Sequence, residues 1–463
     1  GFPSPVFDTV GTASEIYDAS GGLSEFAMES YFGRISLSYL DRYILNMTMR
    51  TDGSSRFAPS DRYGYFPSVS LGWNVSKEPF WKFDRTDLKF RLSYGKTGNQ
   101  DGIGNYAWQP LMSGGINYGN NSGMAVTSMG NNTLTWETAD QYDFGFDLGF
   151  WNGKLNMIAD VYLKNTNNLL YSMPLHGTSG FTSITNNIGS MRNYGVEFSI
   201  NGHMNLGKVN WTSSFNISHN KNKLTKLLGD DLLPIGSNRA LKVGEELGAF
   251  YLFQMDGIYQ YDGEVPQPLY DLGVRAGDVK YHDVDNNGII NDSDRVLTGS
   301  SNPDFFGGWN NTFKYKGFQL DVFFTYMYGN DVYAEWAVTA TRPGYRMAIT
   351  EDAAKNRWTA PGSSNKYPRA VNTLCGHNSK NSTRFLEDGS FIRLRSLTFS
   401  YTFPQVMLQK IRMKGLRLYV QGDNLLLFSK YSGWDPEVSK NMDPQYFGVD
   451  LYGVPPSRSV NFG

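Results

Sequence analysis

Apolar and polar residues alternate with a period of two along much of the chain, most clearly over residues 141–164. Tyr142, Phe144, Phe146, Leu148 and Phe150 fall on one side of the repeat, and Asp143, Gly145, Asp147 and Gly149 on the other. Trp151, Asn152, Gly153 and Lys154 read as a turn, with Asn-Gly as the hairpin signal. The return places Leu155, Met157, Ala159, Val161 and Leu163 on one face, against Asn156, Asp160 and Lys164, with Ile158 and Tyr162 as exceptions. This spacing predicts two antiparallel strands with one oily face and one charged face. A soluble sandwich must cover such an oily face with a second sheet. A transmembrane barrel leaves it to lipid and turns the other face to water or a plug.

The same period recurs elsewhere. Ile35, Leu37 and Tyr39 alternate with Ser36 and Ser38, and Tyr43, Leu45, Met47 and Met49 with Asn46, Thr48 and Arg50. Further strands are predicted around Val69–Val75, Leu88–Tyr94, Val196–Met204, Val209–Ile217, Trp309–Tyr315, Phe318–Tyr326, Phe391–Phe403, Leu416–Val420 and a short last one at Arg458–Phe462. In the strand 391–403, Arg393 and Arg395 share the side of Leu397, Phe399 and Tyr401. A lipid-facing Arg at mid-membrane costs roughly 2–4 kcal/mol, so both are expected above the bilayer. Residues 52–63, 96–135, 165–191, 220–302, 329–388 and 425–456 read as long loops, the fourth with one apolar patch at 247–253.

The connections are short and long in turn, as in outer-membrane barrels with short periplasmic turns and longer extracellular loops. By parity, 220–302 makes no net crossing and is expected outside the cell. The count is about 13 strands, an odd number where single-chain bacterial barrels have an even one. The start of the barrel is therefore expected to lie outside these residues.

Composition supports strands. Of 463 residues, 15% are aromatic and 50 are Gly. No run of about 18 apolar residues exists, so no membrane-spanning helix is predicted; barrel strands escape that search. The net charge of −2 carries no nucleic-acid signature. Cys375 is the single cysteine, which excludes an internal disulfide. No HExxH, GxSxG or phosphate-loop pattern appears, and no catalytic residue is assigned. The loop aromatics Tyr118, Trp336, Tyr345, Trp358 and Trp434 suit either sugar stacking or local packing.

One loop has cation chemistry. Residues 283–294 match a calcium-loop pattern, with Asp283, Asp285, Asn287, Asn291 and Asp294 offering side-chain oxygens and Ile289 its carbonyl. Gly288 holds the turn position, and Asp294 replaces the usual Glu. Asp283, Asp285, Asp292 and Asp294 repel one another unless a cation lies between them. The expected metal is structural Ca2+. The alternative is an acidic, solvated turn with Asx hydrogen bonds. His282 is expected to be a neighbour, since calcium prefers oxygen.

Several stretches carry a family resemblance. They are Arg50-Thr51-Asp52-Gly53-Ser54-Ser55-Arg56-Phe57, Phe66-Pro67-Ser68-Val69-Ser70-Leu71-Gly72-Trp73, Ser93-Tyr94-Gly95-Lys96-Thr97-Gly98-Asn99-Gln100 and Leu134-Thr135-Trp136-Glu137-Thr138. Asn187-Ile188-Gly189-Ser190-Met191, Asn193-Tyr194-Gly195-Val196-Glu197-Phe198 and Gly277-Asp278-Val279-Lys280-Tyr281 follow. Together, from about Ser30 to Gly463, the chain resembles the SusC/RagA family of TonB-dependent outer-membrane transporters. The resemblance implies an all-β fold, an antiparallel transmembrane β-barrel of which this is the C-terminal part, with about 22 strands in the whole and a plugged lumen. Residues 1–28 would be a loop remnant and 29–463 barrel, with 220–302 an extracellular insertion. The family's signal peptide, plug and TonB-contacting segment are not expected within these residues.

The activity implied is TonB-dependent import of glycans (oligosaccharides) or peptides. The partners implied are a SusD-like surface lipoprotein, the TonB-ExbB-ExbD energy-coupling system and outer-membrane lipid. Two other readings stay open on the residues alone. A passive porin-type channel has the same alternation, and an extracellular calcium-binding, adhesin-like β protein has the same acidic loop.

Overall fold

The computed structural model describes residues 23–229, 232–344, 347–371, 376–409, 412–440 and 446–463. Tyr345 and Cys375 lie outside them, as does most of the expected loop remnant. Among the described residues, 13 strands form one sheet in which each strand neighbours the next along the chain. They are β1 (Met28–Tyr39), β2 (Tyr43–Ser54), β3 (Tyr63–Asn74), β4 (Thr86–Asn99), β5 (Glu137–Phe150), β6 (Leu155–Pro174) and β7 (Ser183–Leu206). After these come β8 (Val209–Leu227), β9 (Phe305–Tyr315), β10 (Phe318–Tyr328), β11 (Phe391–Thr402), β12 (Arg417–Ser429) and β13 (Ser459–Phe462). Each corresponds to an alternating segment of the sequence.

The short turns follow from local chemistry. Leu40 and Asp41 take φ of 53° and 55° between β1 and β2, and Trp151, Asn152 and Gly153 take 54°, 58° and 77° between β5 and β6. Left-handed residues let a tight connection follow the twist of the paired strands. β8 pairs with β9 directly, from Asn210↔Lys314 to Ser218↔Phe306. The chain between them therefore leaves and re-enters at one end of the sheet, as parity requires.

Contacts divide the chain into two compact units. In the first (Gly1–Gly149, Ala159–Tyr194, Asn222–Asp230), Ile35, Leu71, Leu92 and Phe144 are exposed, and Phe144 keeps 48% of its surface. The opposite face is a polar ladder: Arg34 donates to Asn46 at 3.4 Å, and Asn46 to Ser70 at 3.3 Å. Arg91 bridges Asp147 at 3.0 Å and Asp160 at 2.8 Å. The unit's buried core, Phe57, Phe66, Ile103, Leu134 and Trp136, sits where the loops gather at the ends of β2, β3 and β4.

The second unit (Phe150–Ile158, Gly195–Lys221, Asp231–Gly463) repeats the pattern. Trp309, Phe318 and Phe399 are exposed on one face. On the other, Thr312 donates to Asp321 at 2.7 Å and Arg417 to Ser400 at 3.0 Å. Its two buried cores again lie off the main sheet, in the long connections. A sheet whose oily side meets lipid has no protein core of its own, so dry protein packing concentrates in the loops.

Four sequence expectations need correction. Residues 165–191 are mostly strand, because β6 runs to Pro174 and β7 starts at Ser183. Residues 220–302 are a folded insertion. A four-stranded sheet (Leu232–Ile235, Arg239–Lys242, Ala249–Phe253, Arg295–Ser300) accompanies a two-stranded one (Met255–Ile258, Val279–Tyr281) and a helix, Gln267–Asp271. The connection 329–388 is also structured, with strand Asp331–Ala334 and helices Glu335–Ala340 and Glu351–Lys355.

The fourth correction concerns Arg393. The ladder shifts register around Arg395, so Leu394 faces Phe324 and Ser396 faces Phe323. The extra residue is a bulge that reverses the alternation. Arg393 therefore pairs with Thr325 on the polar face instead of sharing the side of Leu397. There it is buried and bonded to Asp435.

Candidate functional site

The acidic loop is built by its flanks. Val279–Tyr281 pairs with Met255–Ile258, which fixes the entry. Ile290 is buried with Val279, Tyr281 and Tyr259, which pins the loop's middle. Asn286 and Gly288 take φ of 56° and 78°, bending the backbone so that its N–H groups point inward. Gly288 N–H donates to Asp283 Oδ2 at 2.6 Å, and Asn287 N–H to Asp283 Oδ1 at 3.2 Å and Asp285 Oδ1 at 3.1 Å. The exit is a capping box. Asn291 Oδ1 accepts from Ser293 N–H at 2.9 Å, and Asp294 Oδ2 from Asn291 N–H at 2.8 Å.

Three of the expected oxygen donors converge. Carboxylate oxygens of Asp283, Asp285 and Asp294 lie within 4.8 Å of one another. Asp294 is fully buried and also accepts from Val284 N–H at 2.9 Å. Asn287 is drawn beside them, donating through its side chain to Asp285 at 2.8 Å while its Oδ1 accepts from Ile289 N–H. Asn291 serves as a cap, and the Ile289 side chain is exposed. Asp292 turns away toward Arg295 at 3.9 Å. His282 bonds Asp256 at 3.2 Å. Burial disfavours the Asp283 charge, but the Gly288 and Asn287 N–H groups outweigh it and hold its carboxyl below the usual range. The donor set is hard oxygen, which fits a divalent cation of the calcium kind.

In the sequence, Gly277-Asp278 stands only as part of a motif. The structure makes Asp278 the hub that fastens this loop to Arg369 and Asn378. Its buried carboxylate takes both Arg369 donors at 2.9 Å and Asn378 Nδ2 at 2.8 Å. Gly277 has φ of 90°, and a Cβ there would lie 2.4 Å from the Trp358 ring. The signal was available: an Asp beside a Gly at the entry to a strand, with Arg in a later loop.

Of the loop aromatics, Trp336 donates to Tyr431 at 3.0 Å and Trp358 to Gln260 at 3.1 Å, so both are packing groups. Tyr118 is 89% exposed and Trp434 75%.

Antiparallel strands that expose an apolar, aromatic face, carry polar groups on the other and keep their buried cores in the long connections are an outer-membrane β-barrel architecture. The family model described as TonB dependent receptor-like, beta-barrel, matches residues 3–425, and the chain belongs to that family. "TonB-dependent receptor P3" of Formosa agariphila is 34% identical over 96% of this chain and 46% of its own length. "TonB-dependent receptor SusC" of Bacteroides thetaiotaomicron is 32% identical over 89% of this chain and 42% of its own length. The solved RagAB peptide transporter superposes with a TM-score of 0.82 at 26% identity, covering 96% of this chain and 48% of that one. The chain thus spans about half the length of the curated relatives it matches. It is an outer-membrane protein of the SusC-like kind, and its homologues are receptors and transporters.

Proposed function

We propose that the protein carrying this chain imports glycans or peptides across the outer membrane, driven through TonB-ExbB-ExbD and assisted by a SusD-like surface lipoprotein on the long-loop side. The observation that carries this reading is the pairing, within each unit, of polar ladders on one sheet face with buried cores held in the long connections. A lined conduit and a structured capture surface are what an importer needs. RagAB, a peptide transporter by name, supports the peptide arm, and SusC the family's receptor role. No bond-breaking step enters the role. Within it, Asp283, Asp285 and Asp294, with Asn287, Ile289 and Asn291 around them, hold a structural Ca2+ that stiffens the insertion.

The test is uptake. A strain lacking the gene is compared with wild type for growth on defined oligosaccharides and on peptide pools as sole carbon source. Each is repeated after TonB depletion. Growth that needs both the gene and TonB supports the reading. Uptake that persists without TonB favours the passive channel.

A further inference from the structure

The short-turn end of the second unit carries a feature that transport does not use. On the apolar face, Gly202 leaves a gap between Ile200 and Met204, and Leu155, Trp151 and Trp211 wall it into a cleft of about 520 Å3. Trp211 is fixed by its indole N–H, which donates to Asn311 at 3.0 Å. On the far side of that ring a second groove of about 400 Å3 continues along Leu206, Phe313, Trp309 and Phe324. The two share Trp211 and run from the turns along the strands.

Charge is present at one end only. Lys154 lines the cleft from the β5–β6 turn, and Lys208 stands in the adjoining β7–β8 turn. His203 N–H donates to Lys154 O at 2.7 Å, which ties the end of the β5–β6 turn to the last residues of β7. Both lysines are exposed, and among the described residues neither pairs with a carboxylate. An apolar groove with indoles at its mouth and unpaired ammonium groups beyond them matches an amphiphile with an anionic head.

We propose that this groove holds one anionic phospholipid of the periplasmic leaflet. Its phosphate lies at Lys154 and Lys208, and one acyl chain passes Trp211 toward Trp309. The leaflet rests on the transporter reading, which puts short turns in the periplasm; the head-group chemistry does not.

The test is native mass spectrometry of the full-length protein in detergent, titrated with phosphatidylglycerol and with phosphatidylethanolamine of the same chains. Wild type is expected to retain one phosphatidylglycerol in preference. Lys154→Gln with Lys208→Gln, both in exposed turns, is expected to weaken phosphatidylglycerol roughly twenty-five-fold, at about a factor of five per cation, and to leave phosphatidylethanolamine unchanged. Gly202→Leu is expected to displace both lipids. Equal retention of the two head groups, or an unaffected double variant, overturns the proposal. Lys208→Cys in a background with Cys375 and any other cysteine of the full-length protein replaced by Ser separates the two readings. Labelling from outside intact cells would overturn the leaflet and the transporter orientation, while the head-group preference in micelles would stand.

Discussion

Arg393 and Asp435 form a buried ion pair, with Nη2 2.6 Å from one carboxylate oxygen and 2.8 Å from the other, and side chains 3% and 4% exposed. Glu437 adds a second carboxylate at 3.0 Å. Breaking such a pair leaves a desolvated charge and costs about 3–5 kcal/mol. Asp435→Ala is expected to free the 431–440 loop to protease and lower thermal stability by that order. Arg393→Met combined with Asp435→Leu is expected to recover most of the loss, which a double-mutant cycle in thermal unfolding would show.

Gly145 makes room for the Arg91 bridge. A Cβ there would lie 2.0 Å from Asp160 Oδ1 and 2.8 Å from Arg91 Nη2. Gly145→Ala is expected to push the bridge apart at about 1–3 kcal/mol. The measurement is the denaturant midpoint of the SDS-resistant, unheated gel band, with Gly33→Ala, where nothing lies within 4 Å, as the neutral comparison.

Asp283→Ala with Asp285→Ala removes two of the three converging carboxylates. Calcium affinity is expected to fall roughly a hundredfold or more, since affinity follows the count of charged ligands. Chelator is expected to speed protease cleavage within 283–294 in wild type and to change nothing in the variant. Unaltered calcium content, measured by atomic emission, would reject the site.

His377 gives the insertion a pH dependence. It is buried, its Nε2 lies 2.7 Å from Val279 O, and its own carbonyl accepts from Tyr281 OH at 2.8 Å. Burial holds its pKa below the ordinary 6.5, against the pull of Asp278 and the Val279 carbonyl; Lys380 adds to the depression. Above pH 6.5 the ring is neutral in folded and unfolded chains alike, and no stability is gained or lost. As pH falls below 6.5 the unfolded chain takes the proton first, so stability declines until the folded pKa is reached. Cleavage of 255–295 is expected to rise between about pH 7 and about pH 5, with chelator throughout, and His377→Gln is expected to flatten that rise.

The strands were legible because lipid and water enforce alternation without help from tertiary packing. The hairpin 141–164 therefore declared itself residue by residue. Legibility failed where that pressure stops. Beyond Lys164, polar residues occupy both faces of β6, so the paired strand read as loop. Ala249–Phe253 is buried on both faces and showed only as an apolar patch. The bulge at Arg395 depends on pairing with β10 and β12, which no local pattern records. In the acidic loop, spacing named the three carboxylates that converge. It also named Asn291, which the capping box had already engaged.

The hairpin of β6 and β7 has strands of 20 and 24 residues, where crossing a bilayer takes about 9–11. At about 3.3 Å per residue, roughly half of each strand stands clear of the lipid. Its tip, Gly177–Ser179 closed by Gly180 at φ 77°, is exposed. On the transporter reading this end faces outward, and the ribbon's tip is open to large particles such as an antibody or a phage fibre. With that orientation, a short epitope spliced in at 178 would be displayed on living cells, clear of both faces of the sheet below.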